Sequence, residues 1–186
     1  MFYEDVIVAG FGGQGVLMLG KLIAEAALRE GLNVTWIPAY GPEMRGGTAN
    51  CTVVISDVEV GSPVVTSPKA AIVMNQPSAD TFGPRVKKGG YLFVNSSLVP
   101  RKFKREDIEI IEIPASDIAL EIGSERVANI VMLGAYIEVT KVVRDEVAEK
   151  VVFEVLGKKK SEFVEMNRRA YLEGKKYVQS RGDDKK

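Results

Sequence analysis

The chain has no histidine, a single cysteine and no long apolar run, and each shortage removes a class of chemistry. Cys51 alone cannot ligate an iron–sulfur cluster or a zinc ion, and without an imidazole there is neither a Ser–His nor a Cys–His nucleophile. Redox or metal chemistry therefore has to come from another polypeptide. Cys51 stands in the apolar-rich run from Ala49 to Ile55, where it reads as a small buried hydrophobe rather than a reactive thiol. One thiol also suits a reducing compartment. No stretch reaches the ~18 apolar residues of a membrane span, and Glu4 and Asp5 stand where a secretory leader would carry Lys or Arg. The expectation is a cytoplasmic protein with no membrane partner. Lys plus Arg number 25 and Asp plus Glu also 25, so the formal net charge is zero and nothing at whole-chain scale attracts nucleic acid.

What is present is an ordinary globular composition, 46% hydrophobic and 27% charged over 186 residues, enough for one core. The expectation is one α/β domain over residues 1–178, followed by a frayed polar tail over 179–186. Asp5 to Ala9 is a β-branched run ending at Gly10, which predicts a buried strand and a glycine-rich turn. The apolar spacing from Gln14 to Arg29 predicts a helix stopped by Gly31, and Asn33 to Ile37 predicts a second strand stopped by Pro38. Strand, turn, helix and strand make a βαβ unit, which implies a right-handed crossover onto a parallel sheet. Thr48 to Ser56, followed across Ser56-Asp57 by Val58 to Val60, suggests a hairpin and hence some antiparallel pairing. Short strands are expected at Ala70 to Met74, Tyr91 to Val94 and Ile108 to Ile113, with a short helix within Gln76 to Val86. Helical periods then cover Ser116 to Ile122, Ala128 to Thr140, Arg144 to Leu156 and Ser161 to Tyr177. The predicted fold is a three-layer, Rossmann-like α/β domain with a mostly parallel but mixed sheet and C-terminal helices.

Two constellations carry chemistry. Gly10, Gly12 and Gly15 satisfy G-x-G-x-x-G between a predicted strand and a predicted helix, with Gly13 and Gln14 inside the turn. Glycines let the backbone approach an anion closely, and the helix start supplies about half a positive charge. The competing reading is that they only permit tight strand–helix packing. An Asp or Glu at the end of the second strand should hold the ribose of a dinucleotide, but Trp36, Ile37 and Pro38 stand there, which counts against a stand-alone nicotinamide- or flavin-dependent oxidoreductase.

The second constellation, Tyr40-Gly41-Pro42-Glu43-Met44-Arg45-Gly46-Gly47, lies in a long loop. Arg45 is a guanidinium fork on pliable backbone, suited to a carboxylate or phosphate; an internal tie to Glu43 is the alternative. Following the second strand, this loop should emerge beside the glycine turn at the carboxyl edge of the sheet. The candidate ligand contacts are Gly10, Gly12, Gly13, Gln14 and Gly15 with Gly41, Pro42, Glu43, Arg45, Gly46 and Gly47. No catalytic acid, base or nucleophile and no metal-ligand set stands out. Gln76, Asn95 and Ser96 follow strand ends and either face this edge or cap turns, Asn129 reads as a helix start, and Arg101 to Arg105 as a solvated loop or a contact for an acidic partner.

Gly10-Phe11-Gly12-Gly13-Gln14-Gly15-Val16, the loop Tyr40 to Gly47, Val73-Met74-Asn75-Gln76, Gly89-Gly90, Asn95-Ser96-Ser97 and Asn129 to Gly134 together resemble, in this order, the gamma subunit of 2-oxoacid:ferredoxin oxidoreductases. The glycine turn alone has little specificity; its combination with Gly-Pro-Glu-x-Arg-Gly-Gly carries the resemblance. The loop is more similar to the 2-oxoglutarate and branched-chain (ketoisovalerate) members than to the pyruvate ones. The resemblance implies a multi-subunit enzyme that decarboxylates a 2-oxoacid on thiamine diphosphate, passes electrons through iron–sulfur clusters to ferredoxin, and transfers the acyl group to coenzyme A. It further implies that thiamine diphosphate, magnesium and the clusters sit in the partner alpha, beta and delta subunits. This chain would hold no cofactor alone, and its two glycine-bearing stretches would face a shared coenzyme A site. A purely structural interaction subunit remains the rival reading.

Overall fold

The computed structural model describes residues 1–40, 47–157 and 161–183. Strands β1 (Tyr3–Phe11), β2 (Asn33–Tyr40), β3 (Thr48–Ser56), β4 (Ala70–Val73), β5 (Tyr91–Asn95) and β6 (Glu109–Ile113) form one sheet in the order β2-β3-β1-β4-β5-β6. β4, β5 and β6 extend β1 in parallel, whereas β3 runs antiparallel to both β1 and β2. Helices α1 (Val16–Arg29), α2 (Gln76–Phe82), α3 (Ala115–Ile122), α4 (Ala128–Thr140), α5 (Asp145–Leu156) and α6 (Ser161–Asp183), with short 3-10 helices at Gly83–Arg85 and Glu125–Val127, complete the described elements. The sheet is mixed, as expected, and α1 ends where Gly31 takes a φ of 78°.

Four expectations change in detail. β1, α1 and β2 do run strand–helix–strand with both strands pointing the same way, but β3 lies between them rather than leaving them adjacent. The reason is the burial of β3: Cys51, Val53, Val54 and Ile55 are all covered, so this segment suits the middle of a sheet. The expected hairpin across Ser56-Asp57 does not form; the Ser56 hydroxyl accepts the Val58 amide at 3.1 Å and the chain leaves the sheet. Pro38 does not stop β2, because at the sheet edge an imino nitrogen need not interrupt a ladder. Finally, the last helix runs on to Asp183, beyond the expected end at Tyr177, with Arg181 donating to the Glu112 carbonyl at 2.6 Å and so tying α6 to β6.

Alternation along the strands sorts side chains to two faces. Ile72, Met74 and Phe93 join the larger core beneath α1, α3, α4, α5 and α6, while Ala71, Val73, Leu92 and Val94 pack with Ala79, Val86 and Val99 on the other face. α4 is the central helix, buried continuously from Ala128 to Ile137. It meets α6 so closely that a methyl group at Gly134 or Gly174 would strike the backbone of the opposite helix. Among the described residues no helix is long and apolar enough to cross a membrane.

Candidate functional site

At the carboxyl end of β1 the chain turns through Gly12 to Gly15 into α1. The Gln14 amide donates to the Phe11 carbonyl at 3.1 Å, and Gly13 and Gly15 adopt φ of 101° and 73°, which side-chain-bearing residues resist. No side chain caps α1, so its first-turn amides leave their positive end at the turn. The Gly12 amide donates to the Gly47 carbonyl at 3.0 Å, which brings the end of the second glycine-bearing loop against the first. Gly41, Pro42, Glu43, Arg45 and Gly46 lie outside the described residues.

The glycines do different work. A Cβ at Gly10 would sit 2.7 Å from the Gln14 Oε1 and 2.8 Å from a Val16 methyl, and one at Gly15 would run into the Asn129 carboxamide. Both positions are filled from within the protein. At Gly13 an added Cβ meets nothing within 4 Å, and this residue lines a cleft of about 180 Å³ with Gln14, Met74, Ser116, Glu125 and Arg126. The cleft lies outside the carboxyl ends of β1 and β4. Along the chain the sheet grows to one side of β1 through β3 and β2 and then to the other through β4, so this is where the connections diverge and where open α/β sheets bind ligands.

A second hollow, of about 410 Å³, opens beyond it and is lined by Met18, Arg126, Asn129, Ile130, Leu156 and Phe163 among others. Among the residues of this hollow, Asn129 reaches back to the glycine turn. Its Nδ2 donates to the Gly15 carbonyl at 3.1 Å, so it braces the turn from the neighbouring helix, whereas sequence reasoning gave it only a role in starting α4. Its Oδ1 is buried and has no partner among the described residues. A buried acceptor left unpaired costs about 1–3 kcal/mol, so a donor at this point would be bound favourably. Arg126 is exposed, lines both hollows and enters no ion pair within the described residues.

These features coincide with the region that relatives share. A family described as Pyruvate ferredoxin/flavodoxin oxidoreductase matches residues 5–177. The chain belongs to this family. It is 41% identical over 175 residues to the ketoisovalerate oxidoreductase subunit VorA of Methanothermobacter thermautotrophicus, covering 93% of this chain and 36% of that one. It thus spans about a third of that relative's length. The gamma subunit of the keto/oxoacid ferredoxin oxidoreductase of Geobacter sulfurreducens superposes with a TM-score of 0.81 at 34% identity, over 95% of this chain and 99% of that one. The 2-oxoglutarate:ferredoxin oxidoreductase of Magnetococcus marinus, with 2-oxoglutarate, coenzyme A and succinyl-CoA bound, gives a TM-score of 0.88 at 25% identity, over 97% of this chain and 32% of that one.

Within this oxidoreductase family fold the remaining sequence candidates separate. Asn95 is fully buried at the carboxyl end of β5, where its Oδ1 accepts the Ser116 amide at 3.3 Å and its Nδ2 donates to the Ser116 hydroxyl at 3.0 Å, starting α3. Gln76 and the basic run belong to a surface network: the Gln76 Oε1 accepts the Arg101 amide at 3.1 Å, Arg101 pairs with Asp80 at 3.0 Å, Lys102 with Glu112 at 2.5 Å and Arg105 with Asp107 at 2.6 Å. Three of the four basic residues of the run are therefore paired with carboxylates. Cys51 is buried, its thiol donating to the Val16 carbonyl at 3.5 Å, and burial pushes the thiol up to about 11, outside the nucleophilic range. β3 separates β2 from β1, so the residue after β2 does not stand where a dinucleotide fold places its ribose acid.

Arg126 is the residue sequence reasoning missed. It carries no motif of its own; it lies in the short turn between α3 and α4, and the contact of Asn129 with Gly15 is what brings that turn to the glycine-rich one.

Proposed function

We propose that this chain is the gamma subunit of a multi-subunit 2-oxoacid:ferredoxin oxidoreductase of the 2-oxoglutarate or branched-chain type, inactive alone and cytoplasmic. The complex would convert a 2-oxoacid, coenzyme A and oxidised ferredoxin to acyl-CoA, carbon dioxide and reduced ferredoxin. Within it, this chain supplies interface surface and a rim facing coenzyme A. The observation that carries the reading is the Gly12–Gly47 hydrogen bond, which gathers both glycine-bearing stretches beside the cleft that holds Gly13 and Arg126. The similarity to ketoisovalerate and 2-oxoglutarate enzymes supports the subtype.

The chain's own donor set does not fit a resident cluster: histidine is absent and its one thiol is buried and protonated. Thiamine diphosphate, magnesium and iron–sulfur clusters are assigned to the alpha, beta and delta partners. What these residues can do is bind and orient. The Arg126 guanidinium and the amides at the start of α1 attract a phosphate. In the assembled complex Arg126→Ala should raise the KM for coenzyme A about tenfold, the loss of one charge-assisted hydrogen bond. An unchanged KM would remove Arg126 from the site.

A second reading has a specific observation in its favour: Gly10 and Gly15 are filled by internal side chains, as in a subunit whose loops only make protein contacts. Native mass measurement of the complex with and without coenzyme A separates the two, since a structural subunit would not change the ligand's occupancy when Arg126 or Arg45 is replaced.

A further inference from the structure

We infer that Gln14 is a positioning residue, whose carboxamide sets the direction of the Gly12–Gly13 backbone and, through it, the end of the loop at Gly47. The turn contains two residues with positive φ and would sample many conformations if left to itself. Gln14 removes that freedom by reaching back across it. Its Oε1 accepts the Phe11 amide at 2.7 Å and the Asn75 Nδ2 at 2.9 Å, and its Nε2 donates to the Met74 carbonyl at 3.3 Å. Each of these partners is itself fixed. Asn75 is 3% exposed and its Oδ1 caps α2 by accepting the Ser78 amide at 2.9 Å. Met74 is held to β1 by its amide, which donates to the Ala9 carbonyl at 2.9 Å, and its carbonyl also faces the buried Asn95 Nδ2 at 3.5 Å.

The chain of contacts runs from the starts of α2 and α3 through the ends of β4 and β5 to the turn, and then through Gly12 to Gly47. Gly10 belongs to the same device, since its missing Cβ is the space that the Gln14 head occupies. Only a carboxamide of this length fits: one end must accept two N–H groups while the other donates to a carbonyl. A glutamate would set a carboxylate against the Met74 carbonyl, and an asparagine would not reach.

The structural half of the inference is tested on the full chain by amide hydrogen exchange. In Gln14→Met, which keeps the length and removes the polar head, and in Gln14→Glu, exchange at the Gly12 amide should accelerate at least tenfold relative to wild type, while exchange in α4 stays the same. Unchanged exchange at Gly12 in both variants overturns the inference, as does a global increase that includes α4. The consequence for turnover, which rests on the coenzyme A reading above, is read in the assembled complex. A displaced turn should raise the KM for coenzyme A about tenfold and lower kcat by no more than two- to threefold, the signature of misplaced binding groups. Faster exchange at Gly12 with an unaltered KM upholds the positioning role and overturns the coenzyme A reading instead.

Discussion

Where α4 crosses α6, Gly134 and Gly174 stand at points where one backbone presses on another; at the turn before α1, Gly10 and Gly15 stand where a side-chain carboxamide, of Gln14 or of Asn129, takes the space. The helix crossing is apolar and continuous with the main core, with α4 buried on every side. The turn is polar: Gln14 holds the Phe11 amide, Asn129 holds the Gly15 carbonyl, and Asn75 and the Met74 carbonyl hold the Gln14 head. Backbone against backbone leaves no room for adjustment, whereas a carboxamide can swing aside at the loss of its hydrogen bonds. The first kind of glycine therefore determines whether the chain folds, and the second determines how the rim is shaped.

The sharpest way to break this contrast is to load both regions with side chains. Gly174→Leu should destabilise the chain by about 3 kcal/mol or more, or prevent folding, because neither helix can withdraw without uncovering the core. Urea unfolding measures it, and a loss below 1 kcal/mol would mean that the crossing is looser than its geometry. Gly15→Ala should cost less, about 1–3 kcal/mol, from the positive φ and the displaced Asn129 head. Shortening Asn129 to Ala in the same chain should recover part of that loss in a double-mutant cycle, whereas purely additive effects would show that the two residues do not compete for space.

The polar tie between α5 and α6 gives an intermediate case. The Asp145 carboxylate accepts the Tyr171 hydroxyl at 2.8 Å and pairs with Lys175. Burial alone would raise this carboxyl, but the hydrogen bonds from Lys175 and Tyr171 hold it below its ordinary 3.8. A folded value below the unfolded one stabilises the chain at neutral pH, and that contribution is lost as pH falls from about 4 through the lower folded value. Thermal unfolding followed down to pH 2 should thus decline more steeply in wild type than in Asp145→Asn, and parallel curves would count against the pair. The smallest effect is expected at the exposed Arg101–Asp80 pair, where Arg101→Ala should shift stability by no more than about 0.5 kcal/mol.

The difference between the two regions also explains what could be read from the amino acids in advance. The glycine turn is legible because its residues are consecutive and it follows a β-branched run, and α4 is legible as thirteen residues without a polar stripe. The position of β3 is not, since alternation reports burial but cannot distinguish a hairpin partner on one side from insertion between two strands. Nor can consecutive residues show that Asn129 reaches Gly15 or that Asn75 reaches Gln14, contacts made across 114 and 61 positions of chain. Arg126 is invisible for the same reason, since only the packing of the turn before α4 brings it to the cleft that holds Gly13.

Coenzyme A is proposed to meet this chain at the carboxyl edge of its sheet. Hydrogen exchange on the assembled complex, with and without saturating coenzyme A, tests it most directly. Slowed exchange is expected to be confined, within this chain, to the turn at residues 12–15, the loop ending at Gly47 and residues 126–129. Binding that leaves those three segments unchanged, or that protects only the opposite edge of the sheet around Lys87 and Gly90, would contradict it.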